Sequence, residues 1–198
     1  MPTPEPDSLH RTDDDLLNRA RKGDENSFLL LFDRHRDVIF RLAYRLTDAH
    51  AAEDITQECL LSLLAGPNHY DPAKGSLRTY LYGAVRNLGR RHYWLHHGDV
   101  DLDESLDDAA FVVEPIAHRQ LVQNEVTELV QDAVASLPIA QREAFVLSYF
   151  EELPLDEIAQ ILAVEVGTVK SRLHRARERL RRSLSPHFER RTLHEPIR

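Results

Sequence analysis

The sequence predicts an all-α protein in which two small helical domains are joined by a flexible acidic linker. Apolar residues recur at spacings of three and four along most of the chain, the pattern of amphipathic helices. No stretch keeps the alternation of a strand long enough to compete. After Trp94 the periodicity stops, and the acidic segment that follows cannot bury enough apolar surface to order itself. The expected division is a disordered tail at 1–12, a first domain at 13–95, the linker at 96–117, a second domain at 118–185 and a tail at 186–198.

Four helices are expected in the first domain. The first begins near Asp13 and ends at Gly23, and Asp24 can cap the second. The third ends near Leu64, where a loop with two prolines and two glycines begins, and the fourth starts at about Ser76. The stripes expected to face the core are Phe28, Leu31, Phe32, His35, Ile39, Leu42 and Leu46 on the second helix, Ala52, Ile55, Cys59, Leu60 and Leu63 on the third, and Leu77, Tyr80, Leu81, Ala84, Val85 and Leu88 on the fourth.

The second domain is expected to end in a helix-turn-helix. Helical spacing returns at Leu121, and Pro138 suits the first turn of the next helix. In PLDEIAQILAVEVGTVKSRLHRARERLRR a helix that begins at Pro154, a short turn that holds Val164 and a second helix follow in order. The residues expected to join these helices are Ile158, Ala159, Leu162, Val169 and Leu173. This spacing predicts DNA binding.

Charge is segregated along the chain. The formal net charge is -8, which alone would disfavour a nucleic-acid partner. Seven acids and no Lys or Arg lie in 99–114, whereas 74–91 has five Lys or Arg and no acid. The segment 166–182 carries seven Lys or Arg against Glu178 alone. Two basic blocks separated by an acidic one indicate a function for each block.

The sequence disfavours several other classes of protein. No run approaches the roughly 18 apolar residues of a membrane span and the amino terminus is unlike a signal peptide, so a cytoplasmic protein with no membrane insertion is expected. Cys59 is the only cysteine and lies on a buried stripe. No catalytic triad, phosphate-binding glycine loop or zinc-binding helix appears, so no catalysis and no cofactor are expected. His96, His97, Asp99 and Asp101 are unsuited to hold a metal, because no helix fixes their geometry.

The second helix of the helix-turn-helix carries side chains suited to DNA. Hydroxyls at its start can hold phosphates, and Lys and Arg can hold phosphates or read guanine. LPIAQREAFVLSYFEELPLDEIAQILAVEVGTVKSRLHRARERL resembles region 4 of extracytoplasmic-function (ECF) sigma factors of the sigma-70 family. The resemblance implies that this helix reads the minus-35 promoter element. Ala163 departs from the glycine usual there. The candidates are Thr168, Lys170, Ser171, Arg172, His174, Arg175 and Arg177.

The third helix carries a polar stripe opposite its buried one. Its residues are Glu53, Asp54, Gln57 and Glu58, with Leu61 on the same side. An acidic face is often only solvated, but the adjacent leucine favours a protein contact. DAHAAEDITQECLLSLL resembles region 2 of the same family, which implies docking on the coiled coil of the largest subunit of RNA polymerase.

The fourth helix and the loop before it are suited to unpaired DNA. Arg78, Tyr82 and Arg86 recur every four residues, beside a track of Asn87, Arg91 and Trp94. Aromatic faces can stack bases while arginines hold the backbone. YDPAKGSLRTYLYGAVRN resembles the region that captures the minus-10 strand, which implies further contacts from the preceding loop, although Arg91 stands where an aspartate is usual. The loop candidates are Asn68, Tyr70, Asp71 and Lys74.

These observations predict a sigma factor that binds core RNA polymerase and reads two promoter elements. The family resemblance also implies contact with the polymerase flap and an anti-sigma factor that holds both domains until a signal arrives. A stand-alone helix-turn-helix regulator is the alternative, and it would bind duplex DNA without polymerase. A nucleic-acid-acting enzyme is disfavoured because no ligand or nucleophile cluster is found.

Overall fold

The computed structural model describes residues 11–64, 70–97 and 125–192 and forms two compact units, Met1–Asp99 and Val100–Arg198. Side chains are described for 11–64, 70–95 and 129–186. Within these ranges the regular structure is helical throughout, with no strand, which confirms the predicted all-α class. The boundary between the units lies inside the predicted linker, most of which is outside the described residues.

The described part of the first unit contains four α-helices. Its helices begin where a side chain can accept a hydrogen bond from the first turn, as the sequence predicts for Asp24. Thr12, Asp24 and Asp48 accept from the backbone N–H groups of the residues three positions later, at 3.3, 3.2 and 2.9 Å. The elements are α1 (Asp13–Ala20), α2 (Glu25–Leu46), α3 (Ala49–Ser62), a 3-10 turn (Pro72–Lys74) and α4 (Leu77–His97).

Helix α2 is the centre of the first unit, because it packs against α1, α3 and α4. The predicted inner stripe of α3 is confirmed: all five of its residues are at most 4% exposed. The hydroxyls of Ser27 and Thr56 are buried, and each is hydrogen-bonded within its own helix region. The rest of the described core comes from α1, α2 and α4, chiefly Leu16, Leu17, Leu31, Ile39, Leu42, Leu46, Leu77, Leu81, Tyr82 and Val85.

The second unit contains α5 (Glu125–Ala135), α6 (Ile139–Tyr149), α7 (Leu155–Leu162) and α8 (Val166–Thr192). Helix α8 packs against each of the other three. The start of α6 after Pro138 and of α7 after Pro154 agrees with the sequence. Leu121, where helical spacing was expected to return, lies outside the described residues. Helix α8 continues through Pro186, so the predicted tail begins inside a helix.

The turn of the helix-turn-helix is closed by backbone hydrogen bonds. Ala163 follows α7 in the left-handed conformation, at φ 53° and ψ 48°. The Val164 N–H then donates to the Ala159 carbonyl at 3.0 Å, as in a helix end closed by a left-handed residue. Because a Cβ atom strains this conformation, alanine here is less favourable than glycine. The turn nevertheless places α8 across α7, as the motif requires.

Candidate nucleic-acid and polymerase interfaces

Helix α8 has one buried face, which fixes its orientation in the second unit. The residues on that face recur every three or four positions and are at most 8% exposed: Val169, Leu173, Ala176 and Leu180. They pack with Ile158 and Leu162 of α7, which are also buried, and the predicted joint between the two helices is therefore confirmed. Packing on this face leaves the opposite face of α8 to solvent.

The solvent face of α8 carries most of the predicted minus-35 side chains. Lys170, His174, Arg175 and Arg177 are exposed, and Thr168 and Ser171 are half-buried. The Ser171 hydroxyl donates to the Thr168 carbonyl at 2.9 Å, so both hydroxyl residues lie against the first turn. The first turn has no acidic residue. The positive end of the helix dipole and four cationic or ionisable side chains therefore lie along one surface.

Arg172 does not lie on this surface, and the prediction that it belongs to the solvent face of α8 is wrong. The side chain is 7% exposed. Position 172 lies three residues from Val169 and four from Ala176, so the helical repeat places it at the edge of the buried stripe. The long aliphatic stem of arginine can pack against apolar neighbours at such a border position.

Helix α3 presents the predicted polymerase face to solvent. Glu53, Asp54, Gln57 and Glu58 are all exposed, and Leu61 is 58% exposed. They lie opposite the buried stripe that packs on α2 and α4. An exposed leucine beside four polar side chains is suited to a contact with another protein.

Two basic side chains modify the charge of this α3 face. Arg91 of α4 lies 3.5 Å from Glu58, so part of the acidic surface is balanced by α4. The His50 Nδ1 atom lies 3.6 Å from an Asp54 oxygen. The pKa of His50 is raised, first by a hydrogen bond with its own backbone and then by the Asp54 carboxylate. Protonation of His50 therefore weakens the negative potential at Asp54 as pH falls.

Tyr82 is part of the core, and the prediction that it offers an open aromatic face is wrong. Tyr82 is 1% exposed, whereas Tyr80, predicted to be in the core, is half-buried. The Arg78 Nε atom donates to the Tyr82 hydroxyl at 3.0 Å, and its guanidinium carbon lies 5.2 Å from the ring centre. Arg78 is therefore held at the surface by a buried tyrosine.

Tyr70 is also buried, at 6% exposure, and is not available to stack a base. Its hydroxyl donates to Asp14 at 2.9 Å and to the Gly75 carbonyl at 3.2 Å, and its ring lies 5.5 Å from that of Tyr80. Burial, followed by the hydrogen bond to Asp14, raises the pKa of Tyr70 to about 12. Tyr70 thus ties the loop before α4 to α1.

The remaining minus-10 candidates that the structure describes are exposed or half-buried. Asp71 caps the 3-10 turn by accepting from the Ala73 N–H at 3.0 Å, and Lys74 lies 3.9 Å from the same carboxylate group. Asn87 is exposed and lies 3.5 Å from Arg86, which is half-buried. Trp94 is 44% exposed. Asn68 lies outside the described residues, as do the side chains of His96, His97, Asp99 and Asp101.

The sequence did not predict two features of α6. Gln141, Arg142 and Glu143 are at most 4% exposed, although polar residues in a row usually indicate a surface. Tyr149 and Phe150 are 50% and 39% exposed and pack against Phe145, at distances of 4.5 and 6.2 Å between ring centres. The burial of Glu143 could have been inferred from its spacing. Glu143 lies four residues before Leu147, on the same buried stripe of the helix.

Cys59 is buried on α3, as predicted. Burial raises the pKa of its thiol to about 12, so the thiolate is scarce at neutral pH. Among the residues described, no helix is long and apolar enough to span a membrane.

Comparisons with known proteins match both units. Residues 31–94 match the Sigma-70 region 2 family, and residues 127–180 match the family described as Sigma-70, region 4. Helix α3 and residues 77–94 of α4 lie in the first match, and α6, α7 and the first half of α8 lie in the second.

Complete relatives and solved structures agree with these matches. The chain is 33% identical over 177 residues to the ECF RNA polymerase sigma factor SigW of Bacillus subtilis (strain 168), covering 85% of this chain and 94% of that protein. It is 28% identical over 184 residues to the ECF RNA polymerase sigma-E factor of Escherichia coli (strain K12), covering 88% and 95%. The sigma factor RpoE of Bartonella quintana, solved with the anti-sigma factor NepR, has a similar fold, with a TM-score of 0.63, 24% identity and coverage of 82% and 97%. CnrH, solved with the cytosolic domain of CnrY, has a TM-score of 0.63, 20% identity and coverage of 88% and 97%. By this likeness along nearly its whole length, the chain belongs to the family of ECF RNA polymerase sigma factors.

Proposed function

We propose that this chain binds core RNA polymerase through its first unit and directs it to promoters that are read by α8 and α4. The observation that carries the proposal is the exposed α3 face in a region 2 domain that accompanies a helix-turn-helix. A regulator that acts on DNA alone needs the helix-turn-helix but has no use for this face.

In the proposed mechanism α3 docks on the coiled coil of the largest polymerase subunit. The acidic and amide side chains of α3 can receive hydrogen bonds from basic residues of the partner, and Leu61 adds apolar contact. The second unit contacts the flap. The polymerase thereby brings the two units to one promoter, and linked binding compensates for a weak affinity of each unit for DNA.

Helix α8 is proposed to read the minus-35 element as duplex DNA. Its exposed cations can hold phosphates and read base edges in the major groove, each good base contact contributing roughly 1–3 kcal/mol of discrimination. The residues proposed to contact the minus-35 element are Thr168, Lys170, Ser171, His174, Arg175 and Arg177.

The loop before α4 and the exposed side of α4 are proposed to hold the separated minus-10 strand. Arg78 and Arg86 supply positive charge, Asn87 supplies hydrogen bonds, and Trp94 is the partly exposed aromatic side chain that can stack a base. Tyr70 and Tyr82 support this surface from inside, whereas Asp71 and Lys74 shape its edge.

The proposal includes regulation by an anti-sigma factor, since the structurally similar sigma factor RpoE was solved with one. It also assigns the chain a role as an initiation factor in the cytoplasm, with the chemistry performed by polymerase. The chain itself then needs no catalytic group or cofactor.

The test is transcription in vitro with purified core polymerase and a pool of promoter fragments. The intact chain is expected to yield specific transcripts, and D54A/Q57A is expected to lose them because the docking face is damaged. N26A/D33A on α2 is the matched control, since it removes one amide and one carboxylate that are also exposed. Tight duplex binding without any transcript from the intact chain would instead identify a stand-alone regulator.

A further inference from the structure

The second unit buries three charged side chains in its described part. Arg142 is 3% exposed, Glu143 is 1% exposed and Arg172 is 7% exposed. An ionised side chain inside a protein is costly unless an opposite charge and hydrogen bonds compensate it. The group that compensates each buried charge therefore helps to fix the helices of the second unit, including α8, in place.

The Arg142 guanidinium is hydrogen-bonded to backbone carbonyls at the end of α5. Its Nη2 atom donates to the carbonyls of Ala135 and of Leu137, the latter at 3.1 Å. A guanidinium at this position satisfies carbonyl groups that have no partner within the helix and lies at the negative end of the helix dipole. Arg142 thus serves the joint between α5 and α6.

Glu143 and Arg172 are the two remaining buried charges, and they have opposite sign. Glu143 is on α6 and Arg172 is on α8, and these helices pack against each other. We infer that Glu143 and Arg172 form a buried ion pair that fixes the recognition helix α8 on α6, so that Arg172 is a positioning residue for promoter recognition. The inference rests on the proposed role of α8 at the minus-35 element.

An ion pair at this place controls the geometry of every α8 contact. Arg172 lies next to Ser171 and within two residues of Lys170, both of which are on or near the solvent face. Because both groups of the pair are buried, their attraction acts in a medium of low dielectric and holds α6 and α8 together. Loss of the pair would shift α8 as a unit, so all base contacts would weaken together.

Hydrogen exchange in the free, full-length chain tests the pair. E143Q and R172M should each lower the protection of amides in α8 by a hundredfold or more. Each substitution leaves the other charge buried without its partner, and the resulting loss of stability is of this order. R175M is the matched control: it removes an exposed arginine from the same helix and should leave the protection unchanged.

The double variant E143L/R172M separates positioning from stability. Replacing both charges by apolar side chains should restore protection to within about tenfold of the intact chain. The affinity of the holoenzyme for a minus-35 duplex should stay about tenfold lower, with an unchanged order of preference among base substitutions. R175M should lower affinity with full protection of α8.

Three results would overturn the inference. Unchanged protection in E143Q would show that Glu143 and Arg172 do not form a pair. Full recovery of affinity in E143L/R172M would reduce its role to stability. Altered base preference in R172M with intact protection would mean that Arg172 reads DNA. The exchange experiment needs neither polymerase nor promoter, so failure of the proposed function would show separately, as absence of transcripts from the intact chain.

Discussion

Helices α4 and α8 are both basic and both proposed to face DNA, but they divide their residues differently. On α8 the buried and exposed faces are separate, and the single misplaced candidate, Arg172, lies at their border. On α4 the tyrosine expected at the surface is in the core and supports an arginine. The cations of α8 therefore lie on one exposed face of that helix, whereas on α4 a surface arginine contacts a buried tyrosine beneath it.

The neighbours of each helix explain this difference. Helix α4 packs against both α2 and α3, so a large part of its circumference is buried. Positions that would be exposed on a helix with a single apolar stripe are therefore buried on α4. The cationic surface of α4 then depends on buried aromatic residues for its shape. Substitutions that separate stability from DNA binding should distinguish the two helices.

The largest effect is expected at Tyr82. Y82A should destabilise the first unit by about 3–5 kcal/mol, because it leaves a cavity where a side chain is 1% exposed. Unfolding can be followed by the fluorescence of Trp94, the only tryptophan, which lies in the same unit. Y149A, which removes a half-exposed tyrosine from the second unit, is the control and should leave the Trp94 transition unchanged. An unaltered transition in Y82A would mean that Tyr82 is not a core residue.

On α8, by contrast, removal of cations should affect binding without affecting stability. K170A/R175A should lower promoter affinity tenfold or more and reduce the slope of log affinity against log salt by one to two, because up to two phosphate contacts are lost. The melting temperature should stay within experimental error, since both side chains are exposed. Salt titrations of holoenzyme binding measure the slope, and an unchanged slope would place both side chains away from phosphates.

A smaller effect is expected at Tyr70. Y70F removes the hydrogen bonds to Asp14 and Gly75 and should cost about 1 kcal/mol. In the intact chain the pKa of Tyr70 is raised from 10.0 to about 12, so the folded state keeps the proton that the unfolded chain loses. The stability contribution of Tyr70 is therefore present below pH 10 and lost as pH rises towards 12. Chemical unfolding at pH 8 and 11 should show this loss in the intact chain and less of it in Y70F.

The smallest effect is expected at the turn before α8. A163G should stabilise the second unit by about 0.5–1 kcal/mol, because glycine adopts the left-handed conformation without strain. A163V should act in the opposite direction, since a branched side chain is more strained there. Hydrogen exchange of α7 amides measures both variants, and lower protection in A163G would show that the Ala163 side chain stabilises the turn by packing.

How well the sequence predicts the exposed face of a helix depends on how many neighbours pack against that helix. The α3 face could be predicted because a stripe of five apolar residues marks its buried side, and the unusual residue at Ala163 could be recognised from the family resemblance. Tyr80 and Tyr82 could not be assigned correctly, because periodicity does not give the width of a buried arc between two neighbours. Glu143 and Arg172 were missed for a related reason: a buried charge requires a partner that is distant in sequence.

The most direct test of the account is transcription from a promoter library randomised at both elements, with holoenzymes containing the intact chain, K170A/R175A or R86A/N87A. The account predicts that the α8 variant loses sequence selection at the minus-35 element alone, and that the α4 variant loses it at the minus-10 element alone. Loss of selection at the same element in both variants, or unchanged selection in both, would contradict the division of promoter recognition between the two units.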